Sequence, residues 1–187
     1  MCRREEIVSG GIVLVMGVCG TGKTTVAKAL AQASGAAFIE ADDLHPQSNV
    51  ERMASGIPLT DTERWPWLER ICDAASEKRD AGRDVVIACS ALKMRYRDLM
   101  RSRLGDIAIV HLTGDLETIR RRMASRKGHF MPPTLLQSQL ADLEAPGEGE
   151  HAFPVDIDQP VDAIVSAAAA WTWGQGHSSQ SRRAHAP

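Results

Sequence analysis

An α/β fold, with a parallel five-stranded sheet covered by helices on both faces, is predicted by three observations. Short apolar, β-branched runs alternate with longer helix-patterned segments along the chain. The first run feeds a glycine-rich loop that opens directly into a helix. Two insertions interrupt the alternation, and in an open parallel sheet the loops leaving the carboxyl ends of the strands carry the site. The 187 residues allow one compact domain with a sizeable core and are few for two.

The elements follow in order. Ile12 to Met16 is a continuous apolar run ended by glycine, the pattern of a buried parallel strand. From Lys23 to Ser34 the residues Val26, Ala27, Leu30 and Ala31 give a helical apolar face, closed by Gly35. Further strands are expected from Ala37 to Ile39, Asp84 to Cys89, Ile107 to Leu112 and Ala152 to Ile157. Helices are expected at Thr62 to Asp80, Lys93 to Arg103, Asp115 to Ser125 and Val161 to Trp171. The second strand is expected to neighbour the first. The insertions are Asp43 to Leu59, helix-capable around Asn49 to Ala54, and Arg126 to Leu143, with prolines at 132 and 133 before another helical stretch. The domain organisation expected is a single unit over 1–173, with a substrate insertion at about 43–59 and a lid at about 126–143. The stretch 174–187 lacks an apolar period and reads as a disordered tail.

Composition narrows the class. Hydrophobic residues make up 43% and charged residues 25%, with a formal charge of −2, so nothing calls for nucleic acid or an anionic membrane as partner. Cys2, Cys19, Cys72 and Cys89 form no C-x-x-C pair, which argues against a zinc site and a secreted disulfide framework. No apolar run is long enough to span a bilayer and Met1 to Glu6 is no signal-peptide n-region. A cytoplasmic location is expected.

Gly17-Val18-Cys19-Gly20-Thr21-Gly22-Lys23-Thr24 matches G-x-x-x-x-G-K-[ST] between a predicted strand and a predicted helix. The glycines let backbone N–H groups turn inward around phosphates, and the helix N-terminus adds the positive end of its dipole. Cofactor contacts are therefore assigned to Gly17, Cys19, Gly20, Thr21, Gly22, Lys23, Thr24 and Thr25. Lys23 would reach the β and γ phosphates of ATP, and the Thr24 hydroxyl would serve Mg²⁺, which takes oxygen ligands. The loop occurs in several reaction classes. With no Asn-Lys-x-Asp guanine motif and no long ATPase extension, a small metabolite or nucleotide kinase remains.

Two charged segments complete the constellation. In Glu40-Ala41-Asp42-Asp43-Leu44-His45, Asp42 is the candidate to accept a substrate hydroxyl's proton or hold that hydroxyl in line, and Glu40 the candidate to hold Mg²⁺. By spacing alone the segment equally reads as a solvated acidic loop or a helix cap. Arg120, Arg121, Arg122, Arg126 and Lys127 form a cationic cluster. Arg122 and Arg126, four apart, share a helix face that could close over a polyphosphate; a solvated basic helix end is the other reading. The phosphate loop upstream favours the lid, with Arg126 among the catalytic residues beside Lys23 and Asp42.

Beyond these motifs the chain resembles the small P-loop gluconokinases, related in fold to shikimate and adenylate kinases. The resemblance rests on GVCGTGKT (17–24), EADDLHP (40–46), NVERMASGIPL (49–59), DTERWPWL (61–68), ACSALKMRYRD (88–98), HLTGD (111–115), RKGHF (126–130) and DIDQP (156–160). It implies transfer of the ATP γ-phosphoryl group to D-gluconate giving 6-phosphogluconate, in carbohydrate metabolism on the pentose phosphate or Entner–Doudoroff route. It also implies a five-stranded core, a mobile lid and a homodimer. It makes Asp42, His45, Arg52, Lys93, Arg97 and His129 the expected substrate contacts, cationic where an anionic acid must be held. Arg122 and Arg126 match lid arginines, and Asp158 and Pro160 fall beside the expected adenine. Glu40-Ala41 stands where Asp-Gly is frequent, and Cys19 where Ser is. Trp65 and Trp67 are expected to pack at a helix start rather than stack on a sugar. A kinase of another small hydroxy acid such as shikimate, or a nucleotide sensor without turnover, are the alternatives.

Overall fold

The computed structural model describes residues 10–124 and 133–174. Five strands form one fully parallel sheet: β1 (Ile12–Met16), β2 (Ala37–Glu40), β3 (Val85–Ala88), β4 (Ile107–Thr113) and β5 (Ala152–Asp156), in the order β2-β3-β1-β4-β5. Helices α1 (Lys23–Ser34), α2 (Gln47–Ala54), α3 (Asp61–Asp80), α4 (Met94–Leu104), α5 (Leu116–Ala124), α6 (Pro133–Asp142) and α7 (Val161–Gly174) surround it. Each element expected from the sequence is present, β1 and α1 with the expected ends and the others with ends moved by at most three residues. Gly174 ends α7, and the rest of the expected tail lies outside the described residues, as does the RKGHF segment with Arg126 and His129.

One expectation about neighbours is corrected. β2 pairs with β3 rather than with β1, because β3 inserts between them: Ala88 is opposite Val15 on one side and Glu40 on the other. Strand alternation then divides the core. Val13, Val15, Val86, Ala88, Val110 and Leu112 face one layer with α1 and α7, while Ile12, Leu14, Met16, Val85, Ile87 and Ile109 face the other with α3 and α4. Strands β1 and β3 are buried on both faces, which is why they read as unbroken apolar runs. Among the described residues no helix is long and apolar enough to cross a membrane, and Cys19, Cys72 and Cys89 are buried and outside any disulfide.

Local signals set the helix ends. Gly22 at φ +92° and Gly35 at φ +73° bracket α1 in the left-handed region that glycine tolerates. α3 starts at a capping box, in which Glu63 N–H donates to Thr60 Oγ1 (3.3 Å) and Thr60 N–H donates to Glu63 Oε2 (2.7 Å). That box also orients α2: Arg52 pairs with Glu63 at 3.0 Å, and the buried Asn49 amide donates to the Glu63 carbonyl (3.0 Å). The outcome is a single carboxyl edge of the sheet where the loops after all five strands converge.

Candidate active site

The phosphate loop leaves β1 at that edge and is tightly built. The Val18 carbonyl accepts from Thr21 Oγ1 (2.8 Å) and from Lys23 Nζ (3.1 Å). Gly20 lies at φ +84° directly under α5, where a Cβ would come within 2.7 Å of Met123 Cγ and 3.1 Å of Ile119 Cγ2. Only glycine fits there. Thr21 is buried, Thr24 is half-buried and Thr25 is exposed in the first turn of α1. Burial lowers the Lys23 pKa, opposed by the negative charge of Asp42, the Cys19 and Cys89 thiols and Glu40. A lysine already short of solvation, with its amine held by a carbonyl, gains when an anion arrives.

After β2, a 3₁₀ turn over Ala41–Leu44 carries the acidic segment. The Trp67 indole N–H of α3 donates to the Ala41 carbonyl (2.6 Å), and the same ring stacks on His45 at 4.1 Å with an 11° interplanar angle. Trp67 thus fixes both ends of the segment bearing Asp42, while Trp65 remains partly exposed against the Tyr96 edge. Burial drives the His45 pKa down to about 4, against the opposing pull of Asp42 and with the help of Arg64, so its imidazole is neutral at physiological pH. Its Nδ1 is buried without a hydrogen-bond partner. Glu40 has its pKa raised by burial, partly offset by a hydrogen bond from the Thr24 hydroxyl. Glu40 and Thr24, expected as metal ligands, are therefore side by side although β3 separates their strands. Asp42, in the turn after β2, acts electrostatically on Lys23, Glu40, His45 and Cys89 alike.

The loop after β3 brings in the remaining cations. Lys93 Nζ bridges Asp61 Oδ1 (3.0 Å) and Asp142 Oδ1 (3.1 Å), tying the starts of α3 and α4 to the end of α6. Arg95 and the Tyr96 hydroxyl also contact Asp61, and Arg64 lies 3.9 Å from Asp142. Lys93, Arg95 and Arg64 thus face Asp61 and Asp142, and the Glu144 carboxylate accepts from the Met94 N–H beside them (2.5 Å). Arg52 is exposed on α2, paired with Glu63.

Arg97 is a correction. Its side chain is buried, and its guanidinium is consumed by a bidentate pair with Glu150 (2.7 and 2.8 Å) and by the carbonyls of Ala91 (3.0 Å) and Leu92 (3.1 Å). It has no surface to offer a polyol and instead supports the loop that presents Lys93. Ala91 in that loop has φ +41°, a left-handed value rare outside glycine, and the Arg97 contact to its carbonyl helps hold it.

On the opposite side Arg122 donates to the Ile157 carbonyl and its Nη1 would lie 3.9 Å from a Cβ at Gly22. This joins the phosphate loop, helix α5 and the turn after β5. In that turn Asp158 N–H donates to Asp156 Oδ1 (2.9 Å), and Pro160 leads into α7. The structure therefore gathers Lys23, Thr24, Glu40, Asp42, His45 and Lys93 on one edge, with Arg122 and the Asp158–Pro160 turn beside the loop. Sequence reasoning missed Arg64, Trp67 as a positioning group, Gln139, Asp142 and Glu150. These act through contacts 5 to 120 residues away in the chain, for which no local pattern exists.

Comparison with known proteins matches this arrangement. Residues 12–146 fit the family model described as an AAA domain. The gluconokinase of Gluconobacter oxydans is 46% identical, the match covering 82% of this chain and 86% of that protein. The thermoresistant gluconokinase of Escherichia coli K12 is 43% identical, over 83% of this chain and 89% of that one. A crystal structure of a gluconokinase from Sinorhizobium meliloti superposes with a TM-score of 0.83 at 43% identity, covering 94% and 98% of the two chains. A P-loop three-layer fold, the charged edge just described and this level of identity over nearly the whole folded region lead to one conclusion: the chain is a kinase and belongs to the gluconokinase family.

Proposed function

We propose that this chain transfers the γ-phosphoryl group of ATP to D-gluconate, giving ADP and 6-phospho-D-gluconate. The observation that carries the proposal is the position of Asp42, electrostatically coupled both to Lys23 in the phosphate loop and to His45 beside it. A carboxylate there can hold a primary hydroxyl in line with the γ-phosphate and take its proton as the new P–O bond forms and the β–γ bridge breaks. Lys23 and Arg122, with Arg126 assigned by resemblance, would balance charge on the transferred group. In a loose transition state such positioning outweighs basicity.

The acceptor end is assigned by charge and reach. The Lys93 ammonium suits the gluconate carboxylate, and neutral His45, with Arg52 and the resemblance-assigned His129, suits the hydroxyls. Asp158 and Pro160 are placed beside adenine. Thr24 and Glu40 supply two hard oxygen donors, a set that fits Mg²⁺, which keeps several waters and substrate oxygens in its shell. Among the described residues there is no group of three or more His, Cys, Asp and Glu able to hold a metal alone, so such an ion would depend on the nucleotide. Bound there, Mg²⁺ would neutralise phosphate charge. A single kinase domain working as a homodimer in the cytoplasm belongs to the same proposal.

Coupled ADP release with ATP and Mg²⁺ tests it against D-gluconate, shikimate, glycerate and nucleoside monophosphates. Stimulation by gluconate alone is expected. Turnover only on another acceptor would discard gluconate and keep the kinase.

A further inference from the structure

The Val18–Cys19 peptide of the phosphate loop is held from both ends. Its carbonyl accepts from Lys23 Nζ (3.1 Å), Thr21 Oγ1 (2.8 Å) and the Thr21 N–H (3.4 Å). Its N–H donates 2.6 Å to Gln139 Oε1, a side chain 120 residues further along, on α6. Gln139 is not there by accident of a surface rotamer. One helical turn before it Leu136 is buried in the same apolar cluster as Val18, Cys19 and Ile119, which seats α6 on the core with Gln139 on the same helix face.

We infer that Gln139 is a positioning residue for nucleotide binding, setting the plane of the Val18–Cys19 peptide and through it the place of Lys23. The inference rests on the phosphotransfer reading above. A peptide plane free to rotate about its flanking bonds would carry the Val18 carbonyl away from Lys23 Nζ. With Oε1 accepting that N–H, the plane is fixed in the one orientation that keeps the lysine poised. Hydrogen bonds at the two ends of one peptide also polarise each other, so loss of the first weakens the second. Oε1 is committed to the loop, while the Gln139 amide nitrogen has no partner among the described residues.

The test uses the full chain with Gln139→Met, which keeps length and removes the acceptor, and Gln139→Glu, which keeps an acceptor. Amide hydrogen exchange at Cys19, binding of a non-hydrolysable ATP analogue, and the KM for ATP and for gluconate are read separately. For Gln139→Met, exchange at Cys19 is expected to speed up and analogue affinity to fall about tenfold, the scale of one buried hydrogen bond. The gluconate KM stays within about twofold and Tm within about 2 °C. Gln139→Glu restores slow Cys19 exchange. Wild-type exchange and analogue affinity in Gln139→Met overturn the inference, as does a parallel loss of Tm, analogue affinity and gluconate affinity, which would mark a purely structural side chain. Should Gln139→Met not fold, fast Cys19 exchange in Gln139→Glu overturns it. Analogue binding needs no acceptor, so an enzyme that ignores gluconate still decides the point.

Discussion

Replacing Arg97 by Met separates the structural role found for this arginine from the substrate contact that its place in the motif suggests. In the wild type, Glu150 is buried against Arg97 and retains Arg101 at 2.6 Å and the Gly147 N–H at 3.2 Å as further partners. Removing one member of a buried pair costs about 3–5 kcal/mol. Because Glu150 keeps Arg101 and Gly147, the lower end applies, about 3 kcal/mol, even with the Ala91 and Leu92 carbonyls losing their donor. For a domain of this size each kcal/mol moves Tm by about 2–4 °C, so a fall of roughly 6–12 °C is expected. Differential scanning fluorimetry at neutral pH reads it, beside gluconate kinetics taken well below the lowered Tm. Any kinetic defect should be secondary, through the loop that carries Lys93. A Tm within about 1 °C of wild type, with a selective rise in gluconate KM, would refute the argument and return Arg97 to the acceptor site.

Asp42→Asn should bind nucleotide as the wild type does while kcat falls by roughly 10²-fold or more, the usual worth of a positioned base; wild-type turnover would remove Asp42 from the chemistry. Gly20→Ala places a Cβ 2.7 Å from Met123 Cγ at φ +84°, so either α5 or the loop must move, and ATP-analogue affinity measured by calorimetry should collapse. Acid should act in two stages. The His45 pKa is depressed from 6.5 to about 4, so the unfolded chain binds the extra proton first and stability falls as pH drops through that window. Glu150 is held down at about 2 against 4.5, chiefly by its hydrogen bond from Arg97, so its contribution is present above 4.5 and is lost as pH falls toward 2. Urea midpoints measured against pH should show both, and Glu150→Gln should flatten the lower limb alone.

What the sequence determined by itself was whatever depends on short-range pattern. Short apolar runs named the strands, the period of Val26, Ala27, Leu30 and Ala31 named α1, and the glycine-lysine loop declared its chemistry because phosphate binding needs those residue types within eight positions. Asp42 was legible as a candidate because it follows a strand at the edge where ligands bind, yet spacing left it equally a solvated turn. Tertiary structure decided the rest. Strand order is a choice among pairings that local sequence barely distinguishes, so β3 between β1 and β2 appears only in the fold. The direction of a cationic side chain is likewise set by what packs around it. Arg97 turns inward because Glu150 waits 53 residues away, Lys93 stands at the edge because Asp61 and Asp142 converge on it, and Asp42 is held in place by an indole from α3. Energies of charge and hydrogen bonding fall off over a few ångströms of space, and only folding turns distance along the chain into distance in space.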